Sequence, residues 1–99
     1  MPLTRFAMIV KGPEYDPKDH KAVLSSPAFT TTVVCVSSLE QALRAATEQV
    51  QQGVQLIELC GGFTPEEASR LHADIGHEVP VGVVRYSAEE LAHLSVLFD

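Results

Sequence analysis

The sequence predicts an α/β fold: one compact domain with a four-stranded, mainly parallel sheet and flanking helices. Three observations carry this. Four short apolar runs rich in β-branched residues recur along the chain. Between them lie segments whose apolar residues repeat with helical spacing, opened by capping signals. No internal repeat, low-complexity tract or linker interrupts the alternation, so residues 1–99 read as a single domain.

The elements follow in order. Residues 5–10 (RFAMIV) form the first strand, stopped by Lys11-Gly12-Pro13. Asp16 as cap and Pro17 at the first helical position predict a short helix holding His20 to Leu24 and ending before Pro27. Residues 29–36 (FTTTVVCV) form strand two. Ser38 and Gln41 have capping-box spacing, and Leu39, Ala42, Leu43, Ala46 and Val50 line one helical face. Glu40, Arg44 and Glu48, spaced by four, can pair on the other side, and Gly53 ends the helix. Residues 54–60 form strand three. Thr64, Pro65 and Glu67 then open a helix with Ala68, Leu71 and Ile75 inward, ended by Gly76. Residues 79–86 (VPVGVVRY) form strand four. Ser87 and Glu90 cap a last helix whose buried side is Leu91, Leu94, Leu97 and Phe98.

Strand–helix–strand units imply parallel pairing and right-handed crossovers. The expected strand order is 2-1-3-4, flavodoxin-like, with crossovers in opposite directions covering both sheet faces. A flat, barrel-like fragment is the alternative, and it needs oligomerisation to cover its open side.

Composition narrows the function classes. Residues 1–50 carry five basic and five acidic groups, whereas residues 51–99 carry two and eight, which gives the net charge of −6. With no basic run, neither nucleic acid nor an anionic membrane surface is an expected partner. The apolar runs fall short of the roughly 18 residues that span a bilayer. No signal-peptide pattern opens the chain, so the expected location is cytoplasmic. Two cysteines, Cys35 and Cys60, do not make a disulfide framework and read as free thiols. The small core favours association, most simply a homodimer.

The segments GVQLIELCGGFTPEEA and VPVGVVRYS resemble a family of small bacterial proteins of about this length, known only as a domain of unknown function. DPKDHKAVLSSP and TTVVCV extend the resemblance over nearly the whole chain. It implies a compact α/β fold and transfers no catalytic residue.

Candidate site residues cluster at the carboxyl ends of the strands, where open α/β sheets bind ligands. Gly61 and Gly62 either admit backbone N–H groups to an anion or only make a tight turn. Against an anion stand the Thr64 cap, Pro65, and the acidic Glu66 and Glu67. Arg85 is the expected anchor for a small anionic metabolite, with Lys11 a second positive group. Glu58, inside an apolar strand, either pairs with Arg85 or acts as a base. Cys60, at a strand end, is a weak nucleophile candidate beside the simpler reading of an inert thiol. His20, His72, His77 and His93 are scattered, and neither a metal-ligand motif nor a nucleotide fingerprint is present. No metal or cofactor is therefore expected. The rival to a metabolite site is a homo-oligomeric subunit or interaction module without one.

Overall fold

Strands β1 (Arg5–Lys11), β3 (Thr30–Val36), β4 (Leu56–Leu59) and β5 (Val81–Val83) run parallel, while β2 (Lys21–Ser25) pairs antiparallel with β3. The computed structural model describes residues 2–98, the Phe98 side chain excepted. The order is β2-β3-β1-β4-β5. The four foreseen strands therefore lie in the foreseen 2-1-3-4 order. The sheet itself is five-stranded and mixed, not four-stranded.

The extra strand replaces the short helix expected after Asp16. Asp16 does cap a turn. Its Oδ1 accepts the Lys18 N–H at 2.9 Å, and its carbonyl accepts those of Asp19 and His20 at 3.0 and 2.8 Å. The turn does not propagate, because a helical nucleus is costly and only a few residues remain before Ser25. β3 instead offers a row of unpaired backbone groups. The His20 carbonyl accepts the Cys35 N–H at 2.9 Å, and Lys21–Ser25 pair onward from there. Ser26-Pro27-Ala28-Phe29 closes the hairpin: Ser26 N–H donates to the Phe29 carbonyl at 2.9 Å, with Pro27 at the position that favours it.

This substitution decides the layering. Helix α1 (Leu39–Gln51) carries the chain from β3 across β1 to β4, and α2 (Pro65–Asp74) carries it from β4 to β5. Both crossovers move the same way across the sheet, so their common right-handedness puts both helices on one face. The step from β1 to β3 goes round the edge through β2 and brings no helix to the other face. The result is two layers, not three.

The core lies between the sheet and these helices. Ala7 sits between Thr32 and Ile57, and Ile9 between Val34 and Leu59; all six are buried. Ala42, Ala45 and Ala46 of α1, Leu71 and Ile75 from the α2 segment, and Phe63 cover them. The small alanines let α1 approach closely. Leu39, Leu43 and Val50, expected inward, pack at its flanks. Gly53 (φ +91°) and Gly76 (φ +67°) end the two helices in the left-handed region. The ion pairs allowed by the spacing of Glu40, Arg44 and Glu48 are not formed among the described residues.

Helix α3 (Ala88–Leu94) is capped by Ser87 as foreseen and buries no residue. Leu91 and Leu97, expected inside, are 52% and 75% exposed, and Leu94 is half-buried. The Phe98 side chain, also expected inside, lies outside the described residues. The apolar stripe exists, but its own chain supplies no surface to cover it. Among the described residues no helix is long and apolar enough to cross a membrane.

Candidate functional site

The carboxyl edge brings four of the foreseen residues into two small groups. Lys11 ends β1, and its N–H donates to Cys60 Sγ at 3.2 Å. Gly62 lies against both: a Cβ there would stand 3.4 Å from the Lys11 carbonyl oxygen and 3.5 Å from Sγ. Gly61 lies under Tyr86, where a Cβ would meet the ring at 3.0 Å. Neither glycine has a positive φ. The pair therefore serves close packing of the strand end against Lys11 and Tyr86, and not an unusual backbone shape.

The anion position at the start of α2 is already filled from within. Thr64 Oγ1 accepts the Glu67 N–H at 3.1 Å, and Glu67 Oε1 accepts the Thr64 N–H at 2.9 Å, a complete capping box. Pro65 supplies no donor. Glu67 Oε2 takes Lys11 Nζ at 3.3 Å, and that ammonium also stands 5.5 Å from the centre of the Phe63 ring. The Thr64 backbone hydrogen bond lowers the Glu67 pKa from its ordinary value, helped by Lys11 and opposed by desolvation. The carboxylate of Glu67 thus stands where a bound anion would.

Glu58 and Arg85 do not meet. β4 and β5 are neighbours, as their pairing would require, but Glu58 lies opposite Gly82. Arg85 is three residues further on, roughly 10 Å along the strand direction. By alternation Val84, not Arg85, shares the face of Glu58. Arg85 is exposed, and its guanidinium donates to the Val84 carbonyl at 3.2 Å. Register, not strand order, separates the pair. Cys35 and Cys60 are both free and half-buried. No group of His, Cys, Asp and Glu side chains among the described residues is arranged to hold a metal ion.

The feature not foreseen lies on the other side of the sheet. Phe6, Met8 and Val10 of β1, Thr31, Val33 and Cys35 of β3, and Leu56 of β4 face away from α1 and α2. All are only half-buried, whereas Ala7, Ile9, Thr32, Val34, Val36, Ile57 and Leu59, their alternates on the helix side, are buried. Register extends this face to Ala22 and Leu24 on β2 and to Gly82 on β5. Leu24 is 61% exposed. Glu58 projects from it exposed and is the only charged strand residue on this face among the described residues. A Cβ at Gly82 would stand 3.9 Å from Glu58 Cγ, an ordinary packing distance, so the position would accept a small side chain against the Glu58 stem.

A family model described as a family of unknown function, DUF6506, matches residues 4–99. The chain belongs to that family. No curated protein and no solved structure matches it. For this DUF6506 chain the functional reading therefore rests on its own geometry. Two sequence signals mark what was missed. The strands are apolar at successive positions, the pattern of a sheet meant to be covered on both faces. A second concavity, beside α1, holds Gln49, which shares the apolar helix face of Ala42 and Ala46 by spacing of three and four.

Proposed function

We propose that the protein acts as a homodimeric subunit in which each open sheet face is covered by the second copy, with the C-terminal arm completing the contact. The observation that carries this reading is the one-sided sheet: an apolar face of five strands lies bare while both long helices pack on the opposite side. Contiguous apolar surface of this kind marks an interaction site.

The occupant is argued from the same chain. An open sheet face lacks a helical layer, and residues 88–97 form an amphipathic arm that lacks a sheet. Leu91, Val96 and Leu97 are 52%, 72% and 75% exposed. Two copies satisfy both needs at once, in a self-complementary contact. Size supports using both parts. At ~4.8 Å between strands and ~3.3 Å per residue, the face covers roughly 400 Å² of flat area. A stable interface buries about 800 Å² on each partner. The sheet face alone falls short, and the arm supplies further apolar area.

Recognition of a small anionic metabolite at the carboxyl edge, with Glu58 or Cys60 as catalytic group, draws less support. Lys11 and the start of α2 are engaged with Glu67, which leaves Arg85 as that edge's remaining foreseen anchor.

Sedimentation equilibrium tests the dimer. The expected mass is twice 10.7 kDa at micromolar concentration. A mass of 10.7 kDa at every concentration removes the reading. Alkylation supplies an internal check, because Cys35 lies on the open face: its labelling should slow as protein concentration rises through the dissociation constant.

A further inference from the structure

On the helix side of the sheet, away from the open face, α1, β3 and the Asp16 turn enclose a groove of about 550 Å³. That volume lies in the range of small-molecule sites, roughly 300–1,000 Å³. Lys18 enters from the turn and Arg44 from α1. Lys21 enters from β2, where it stands opposite the buried Val34 and so shares the helix-side face. None of the three cations is ion-paired among the described residues. Asp16 and Glu48 also line the groove, so its formal balance is one positive charge in a chain of net charge −6.

Two amides complete the lining, and one is the decisive observation. Gln49 is only 1% exposed, on the helix face it shares with Ala42, Ala45 and Ala46. Its side-chain amide hydrogen-bonds no described residue. No fully enclosed polar atom among these residues lacks a partner, so this amide reaches solvent through the groove it lines. A nearly buried amide without a protein partner is costly unless something in the groove bonds it. Gln41 is oriented by its neighbour. Its Oε1 accepts the Ser37 N–H at 2.7 Å and the Ser37 hydroxyl at 3.2 Å, which leaves its NH2 group as a donor.

We infer that this groove binds a small organic monocarboxylate that also carries an amide-like group. Arg44 and the two lysines hold the carboxylate, and the amide of Gln49 pairs with the neutral donor and acceptor of the ligand. The charge balance selects the class. A monocarboxylate neutralises the lining, whereas a phosphate ester, carrying about −1.5 to −2, overshoots it beside Asp16 and Glu48.

The test uses the full chain, isotopically labelled, titrated with N-acetylglycine at constant ionic strength. This probe is fragment-sized and should bind weakly, with a dissociation constant on the order of 10 mM. The expected result is saturable shifts of the side-chain NH2 signals of Gln49 and Gln41 and of the Lys18 and Lys21 amides. Arg44 is exposed and its replacement is not expected to disturb the core, so Arg44→Ala should weaken binding about tenfold with the spectrum otherwise retained. Gln49→Leu keeps the volume and removes the amide, and should also weaken binding. Non-saturating shifts overturn the site, as does unchanged affinity in Arg44→Ala. Tighter binding of inorganic phosphate than of N-acetylglycine overturns the assignment of the ligand class. None of these readings depends on whether the protein is a monomer or a dimer.

Discussion

The two faces of the sheet are built from alternate residues of the same strands, yet they have opposite fates. Ala7, Ile9, Val34, Val36, Ile57 and Leu59 are buried under α1 and α2. Phe6, Met8, Val10, Val33 and Leu56, no less apolar, remain half-exposed on the other side. Hydrophobicity does not separate these sets. The connections do. Two right-handed crossovers in one direction deliver both helices to one face, and the edge hairpin delivers none to the other. A strand side chain becomes core only if the chain passes over it, or if a partner does.

The largest expected effect separates the faces by stability. Leu59→Ala empties part of the covered core and should cost about 2–5 kcal/mol. That loss should be similar at low and high protein concentration. Met8→Ala, on the open face, should cost little in dilute protein and more in concentrated protein, where the dimer contributes to stability. Urea unfolding of both variants across a concentration series measures this. Equal, concentration-independent losses for the two would abolish the distinction between covered and open faces.

A second substitution addresses the open face alone. Val33→Asp places a charge where the second copy is expected and should raise the dissociation constant by at least tenfold, about 1.4 kcal/mol. The helical circular dichroism should be kept, because Val33 points away from the core. Glu58→Leu should act oppositely and tighten the dimer, since it removes a carboxylate from the contact. If Val33→Asp instead unfolds the chain at concentrations where the wild type is a folded monomer, Val33 belongs to a core and the proposed face is wrong.

Much of this was legible in the sequence, and the failures have physical causes. The β-branched run at residues 30–36 and the capping box of Thr64 and Glu67 are local signals, and each formed where local chemistry placed it. The segment from Asp16 to Ser25 departs from the expected helix because a cap and a proline can start a turn without sustaining a helix. Its strand state is decided by β3, which is remote from those signals. The expected Glu58–Arg85 pair needs both adjacent strands and matching register; β4 and β5 are adjacent, but register sets Glu58 opposite Gly82. The stripe through Leu91 and Leu97 is exposed although its pattern predicts burial, because amphipathicity states that a face seeks cover, not that its own chain provides it. The groove is not legible in the sequence because it joins Lys18 and Lys21 to Arg44 through an edge strand whose pairing is set by β3.

A smaller effect contrasts two kinds of glycine. Gly53, at φ +91°, requires a backbone shape that side chains rarely adopt, and Gly53→Ala should cost about 1–2 kcal/mol. Gly61 has no such requirement, and the nearest atoms that a Cβ there would meet belong to the exposed side chain of Tyr86. Gly61→Ala should therefore cost less, through a shift of that ring. Thermal unfolding of the two variants checks the order. A larger loss at Gly61 would show that the loop after β4 is held more rigidly than its own contacts explain.

The smallest expected effect concerns the carboxylate that stands where an anion would bind. The pKa of Glu67 is lowered in the folded protein, first by the Thr64 N–H and further by Lys11. A lowered carboxyl pKa means that the unfolded chain takes up the proton more readily than the folded one. The stabilisation is therefore fully present above the unfolded value, ordinarily 4.5, and is lost as pH falls through the lower folded value. Glu67→Gln keeps a side-chain oxygen able to accept the Thr64 N–H but removes the titration and the ion pair with Lys11. The variant should be slightly less stable than the wild type near neutral pH, with the two converging at pH well below 4.5. Urea midpoints across this range measure it. A stability difference that stays constant into acid would mean that the charge of Glu67 adds nothing to its role as a hydrogen-bonding cap, and that the contact with Lys11 does not stabilise the fold.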